Sequence, residues 1–203
     1  MARIASTECA GCGACCRGMG DTIVLDPYDV WQLTQNLGRP FDGLLGTQIE
    51  LHVEERVILP HLAMRKGEES CSFLGEDGRC AIHAFRPGNC RLFPLGRQFD
   101  DGKISYFVVE GGCEKGNLAK TRIDKWLGIS DLPAYENFKA EWRSLLRSLK
   151  ARIAAEPSEE VQRNLNIYFL RTFYMTPCGS GKNASSFYRE IKERIQEFKK
   201  AVL

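Results

Sequence analysis

A chain of 203 residues can bury a core of its own, so any metal it holds is not needed merely to compensate for small size. With 43% hydrophobic and 27% charged residues the composition is that of an ordinary globular protein, and a net charge of +2 is too weak a field to favour nucleic acid as a partner. No stretch approaches the roughly 18 continuous apolar residues of a membrane span, and MARIASTECAG places no apolar run before the first cysteine, so neither membrane contact nor a signal peptide is expected and the protein reads as cytoplasmic.

In chain order, residues 1–21 form a Gly- and Cys-rich loop without hydrophobic period, whose order should depend on a bound metal. Asp26 can cap a helix that Pro27 opens, with Asp29 complementing its dipole and Gly38 ending it; Val30, Leu33 and Leu37 share one face, and Trp31 packs at or near the core. Alternation at Ile49, Leu51 and Val53, then at Val57 and Leu59, predicts two short strands turning near Glu54 and Glu55. Asp77-Gly78 predicts a tight hairpin that brings Cys71 and Cys80 together. Asp100-Asp101-Gly102 predicts a second, between Leu95–Phe99 and Ile104–Val109, with Cys113 just beyond it.

Helical patterns then take over. A short helix is expected from Leu118 to Leu127, stopped by Gly128. A long one begins at Pro133 with Tyr135, Phe138, Trp142, Leu145, Leu149 and Ile153 on one stripe. Ser158 caps the next, with Val161, Leu165, Phe169 and Thr172 in line up to Thr176-Pro177, and a last helix from about Ser185 carries Phe187, Ile191, Ile195, Phe198 and Val202. The expected fold class is α+β: a small Cys-rich metal-binding domain of short strands and loops over residues 1–116, plus C-terminal helices over 117–203 that pack on it. No internal repeat or low-complexity tract is present.

The cysteines carry the chemistry. Cys9, Cys12, Cys15 and Cys16 cluster in ECAGCGACCRG, and Cys71, Cys80, Cys90 and Cys113 follow. A buried structural cysteine replaces a small hydrophobe and has no reason to cluster, whereas thiolate ligands must converge on a shared centre. Disulfide or redox-switch use is the weaker alternative: a reducing compartment opposes bridges, and the adjacent Cys15 and Cys16 would have to bond to different partners. Cys9-x2-Cys12-x2-Cys15 resembles the way bacterial ferredoxins wrap three corners of a four-iron cluster, whereas zinc sites more often use two separate C-x2-C knuckles. Gly11 and Gly13 let the backbone fold close to such a centre. Four thiolates on a divalent ion leave a net negative charge, so Arg17, Arg79, Arg86 and Arg91, each near a cysteine, are candidates to offset it. Arg86 and Arg91, which flank Cys90 in RPGNCR, are the favoured cofactor-contacting pair.

These segments, C-x2-C-x2-CC, then VLDPYDVWQL, then CSFLGEDGRCAIHAFRPGNCRLFP, resemble the YkgJ-type cysteine-cluster family, the CxxCxxCC zinc- or iron-chelating domain, over roughly residues 9–116. The resemblance implies a metal-ligand set of Cys9, Cys12, Cys15, Cys16, Cys71, Cys80 and Cys90, with Cys113 as the eighth. His83 follows Cys80 at ligand spacing, but the family commonly carries an aromatic residue there, so it is not expected to be required. His52 and His61 have no ligand spacing. Cys178 lies outside the matched region and reads as a free or part-buried thiol; the GSGK after it lacks the earlier glycine and the Ser or Thr of a phosphate loop, which excludes an NTPase.

Three functions follow as expectations. The first is a metalloprotein holding iron-sulfur cluster(s), with 4Fe-4S favoured, or zinc, on eight thiolates; iron would give electron transfer or redox sensing, and closed zinc sites would be structural. The second is an enzyme: the module also resembles part of flagellin lysine N-methylases, which would imply S-adenosylmethionine and a protein substrate, although no glycine-rich cofactor loop is visible. The third is an interaction module whose C-terminal helices bind a protein partner or self-associate into a homo-oligomer.

Overall fold

The computed structural model describes residues 2–5, 12–100, 103–112, 118–179 and 183–203. Short antiparallel strand pairs and turns occupy the N-terminal half and long helices the C-terminal half, an α+β arrangement. Helix α1 (Pro27–Leu37) starts at a reciprocal cap: the Asp26 carboxylate accepts from the Asp29 N–H at 2.9 Å, and Asp29 accepts from the Asp26 N–H at 3.2 Å. Gly38 ends the helix in the left-handed conformation at φ 64°. A short α2 (Phe41–Leu44) leads into β2 (Ile49–Glu54) and β3 (Val57–Leu62), which pair through a turn with Glu55 and Arg56 at positive φ. In β2 only Ile49 is buried; Leu51 and Val53 face outward.

The Asp77-Gly78 turn forms, but without ladders on either side. Leu74 and Cys80 meet in a single antiparallel bridge, and the turn closes through Gly75 N–H to Arg79 O at 2.8 Å and Gly78 N–H to Gly75 O at 3.0 Å. Helix α3 (Gly88–Leu92) then carries Cys90, and β4 (Leu95–Asp100) pairs with β5 (Lys103–Val108) in the expected hairpin. Residues 101–102 of its turn lie outside the described residues.

Two elements correct the sequence reading. Ala2–Ala5 form β1, a strand rather than loop, and its partner β6 (Leu118–Thr121) replaces the first half of the expected 118–127 helix. Only α4 (Ile123–Leu127) of that helix exists, stopped by Gly128 at φ 61°. Pairing between segments more than a hundred residues apart satisfies backbone groups without leaving a local pattern in either.

Helix α5 (Leu132–Ala154) is capped by Asp131 and buries the whole expected stripe from Tyr135 to Ile153. Helix α6 (Glu159–Leu170) is capped by Ser158 and runs into a π-helical turn, Arg171–Met175. Phe169 is buried as expected, but Val161, in the first turn of α6, is exposed; in the wider π-helical turn the inward face rotates, so Phe173 and Tyr174 are buried and Thr172 only half-buried. Helix α7 (Ala184–Val202) buries Phe187, Ile191, Ile195 and Phe198. One hydrophobic cluster joins Leu25, Trp31 and Leu74 to Tyr135, Trp142, Phe169 and Phe187, so the helices seat directly on the segments that carry the cysteines. Among the described residues no helix is long and apolar enough to cross a membrane.

Candidate metal centre

Backbone contacts draw separate chain segments to one place. The first cysteine segment ends in a 3-10 turn, Ala14–Cys16, locked to the third by Cys71 N–H to Cys16 O at 2.8 Å, Gly18 N–H to Glu69 O at 2.7 Å and an antiparallel bridge between Arg17 and Ser70. Gly13, at φ 61°, lies so close to the Asp77-Gly78 turn that a Cβ there would sit 2.4 Å from Gly78 O. Only glycine permits both that backbone conformation and that approach.

The Cys16 thiol stands within hydrogen-bonding reach of both Cys15 and Cys80. Donation by Cys16 is the largest influence holding Cys15 down to about 6 and Cys80 down to about 7; the Arg86 guanidinium lowers both further, against burial. The same contacts push the Cys16 thiol far up, with burial adding to them. Burial raises Cys71, and Phe73 N–H donates to its sulfur at 3.5 Å. Burial also raises Cys90, with the Asp29 carboxylate and then Cys71, Cys15 and Cys80 adding to it.

Cys90 owes its position to Asp29. That carboxylate is fully buried and accepts the Gly88 N–H at 2.7 Å, tying the start of α3 to the start of α1. Burial, then the neighbouring Asp26, raise Asp29 to about 7 in spite of the opposing charge of Lys139, which pairs with Asp26. Sequence reasoning gave Asp29 only a dipole role. The signal for more was Gly88 in RPGNC, where a Cβ would meet Tyr135 Oη at 2.3 Å.

The remaining candidates fall as follows. Cys12 is exposed on the same loop as Cys15, and Cys9 and Cys113 lie outside the described residues. Arg86 faces Cys15 and Cys80 and also donates to His83 Nε2 at 2.8 Å, which occupies that ring nitrogen. Arg91 spends its guanidinium on main-chain carbonyls, those of Ala84 at 2.7 Å, Arg86 at 2.9 Å and Leu127 at 3.4 Å, and so braces the loop around Cys90. Arg17 and Arg79 are exposed. His61 is buried against Asp21 O and lies 3.4 Å from Glu54, with the His52 ring 4.7 Å away. Cys178 is buried, its sulfur directed at Phe187 O.

A cavity of about 270 Å³ opens beside the thiols, with Cys15 and Cys90 on its wall and Met19, Ile23, Leu92 and Phe93 around them. Among the described residues no three or more His, Cys, Asp or Glu side chains are already arranged to hold an ion. The sulfurs are therefore gathered but not closed on a common point. Clustered soft donors, two with depressed pKa, beside a guanidinium and an open cavity, fit a thiolate-bound zinc or iron centre.

Residues 8–110 match the sequence profile of a family described as "CxxCxxCC: Putative zinc- or iron-chelating domain". No curated protein and no solved structure matches the chain.

Proposed function

Since the chain belongs to the CxxCxxCC zinc- or iron-chelating family, we propose that it is a redox-active metalloprotein of the cytoplasm that carries iron-sulfur, with 4Fe-4S favoured over zinc. The ligands would come from Cys9, Cys12, Cys15, Cys16, Cys71, Cys80, Cys90 and Cys113. The observation that carries this reading is the gathering of Cys15, Cys16, Cys71, Cys80 and Cys90 from three separate chain segments. The C-x2-C-x2-C loop and the cavity beside Cys15 and Cys90 favour a cluster over a single ion.

A bound cluster would supply one-electron exchange at a potential set by its surroundings. The chain's own residues prepare the ligands. Cys16 and Arg86 hold Cys15 and Cys80 near the thiolate state, Arg86 offsets their negative charge, and N–H groups of Phe73 and Ile82 point at the sulfurs of Cys71 and Cys80. Asp29 keeps Cys90 in place through Gly88.

Single serine variants test the assignment. Cys71→Ser, Cys80→Ser and Cys90→Ser should each lower the metal retained per folded chain, with folding checked by circular dichroism. Full metal content in all three folded variants would refute this ligand set.

A further inference from the structure

A second group of metal-ligating side chains, none of them a cysteine, lies on the β2–β3 pair. Glu50, His52 and Glu54 alternate along one face of β2, and His61 of β3, in register with Glu50, shares that face. Asp21 reaches the group from the segment whose Val24 bridges to His61.

His61 anchors the group. Its side chain is 2% exposed, and its Nδ1 meets the main-chain carbonyl of Asp21. A carbonyl only accepts, so Nδ1 carries the hydrogen, and in the neutral ring Nε2 keeps its lone pair. Metal-binding histidines are held in this way, with one nitrogen tied to a carbonyl and the other turned to the ion. Nε2 has no hydrogen-bond partner among the described residues. It faces the Glu54 carboxylate, whose Oε1 lies 3.4 Å away but off the line of a hydrogen bond. A lone pair set against a carboxylate is repelled unless a cation lies between them. The separation suits one, since two ligands about 2.0–2.1 Å from a tetrahedral ion stand about 3.3–3.4 Å apart.

The surroundings favour a cation and supply a further donor. The His52 ring lies 4.7 Å from that of His61, with Glu50 Oε2 3.3 Å from its Nε2 and Asp21 Oδ2 3.9 Å from its Nδ1. Among the described residues one lysine or arginine comes within 4.0 Å of these carboxylates: Lys150, near Glu54, which makes its shorter contact of 2.7 Å with Glu55. No three donors among the described residues have yet converged, and the part-exposed His52 can turn to give the third. Two imidazoles and a carboxylate select zinc over magnesium or calcium, which prefer oxygen ligands alone.

We propose that His61 Nε2 and Glu54 Oε1, completed by His52, bind a single divalent ion of the zinc class. No cysteine takes part, so this site is independent of the thiol centre.

The probe is Zn²⁺, titrated into the full chain with its cysteine-held metal in place and its histidines ¹⁵N-labelled. The expected result is a saturable shift of the His61 Nε2 resonance at about one ion per chain, with Nδ1 still protonated and no response to Mg²⁺. The same signature before any addition, with zinc in the elemental count, supports the site equally. Glu54→Gln keeps the size of a part-exposed side chain and should lower the affinity at least about tenfold. A His61 Nε2 that carries a proton which excess Zn²⁺ does not displace would overturn the site. Undiminished affinity in Glu54→Gln, or shifts confined to the cysteine segments, would overturn it as well.

Discussion

Gly88, at the start of α3, lies close against Tyr135 of α5, and Gly88→Ala tests that junction. A methyl group there would lie 2.3 Å from Tyr135 Oη and 3.5 Å from Asp29 Oδ1. Tyr135 cannot yield: it is fully buried in α5, with its ring 5.4 Å from that of Tyr28. The start of α3 must move instead. Overpacking of this kind costs about 1–3 kcal/mol, and weakening the Gly88 N–H bond to the Asp29 carboxylate adds about 1 kcal/mol. The expected loss of about 2–4 kcal/mol, at an m-value of about 2 kcal/mol/M, lowers the urea midpoint by about 1–2 M. Gly43→Ala in α2 is the control, since its added methyl meets nothing closer than Pro40 Cδ at 3.5 Å. That change should be neutral or stabilise by up to about 1 kcal/mol. A Gly88→Ala protein with a midpoint at or above that of the wild type would refute the close approach of Gly88 to Tyr135.

Three further outcomes are expected. Asp29 is raised in the folded state from near 4 to about 7, so the folded chain holds a proton that the unfolded chain has lost; this group's contribution to stability falls as pH rises through that window and is level above it. Asp29→Asn should remove that slope, seen by comparing urea midpoints of variant and wild type at pH 5 and pH 8. Arg86→Gln should raise the Cys15 and Cys80 thiols and slow their alkylation near pH 7 in metal-free protein, read by peptide mass spectrometry; because Cys16 is the larger influence on both, the slowing should be severalfold rather than complete. Cys178, pushed up to about 12 by burial, should react more slowly than Cys15 and Cys80 in metal-free protein, and Cys178→Ala should leave metal content unchanged at a stability cost of about 1 kcal/mol.

What could be read from the sequence was what is decided locally. The cap of α1, its stop at Gly38 and the starts of α5 and α6 depend on residues a few positions apart, and they formed where expected. The β1–β6 pair depends on two segments at opposite ends of the cysteine region, and nothing in ARIA or LAKT announces the other. The end of the α6 stripe was misplaced at Thr172 because a π-helical turn inserts a residue that a fixed 3.6-residue period does not anticipate. In β2, the apolar residues at 51 and 53 suggested an inward face, yet they point outward while Glu50 and His52 are half-buried. At the candidate metal centre, residue type and clustering singled out Cys15, Cys16, Cys71, Cys80 and Cys90, which the fold draws toward one another. The bond from Asp29 to Gly88 was invisible for the same reason as the β1–β6 pair, since it spans 59 positions.

The most direct measurement is iron, zinc and acid-labile sulfide per chain after anaerobic purification, with a count of the thiols that a maleimide reaches in the native protein. The account predicts iron and sulfide in about equal amounts, broad absorption near 400 nm, and thiols at Cys15, Cys71, Cys80 and Cys90 protected until the metal is removed. Zinc alone would overturn the iron-sulfur assignment, and a folded protein without metal whose thiols all react at once would contradict the central claim that they close on a shared centre.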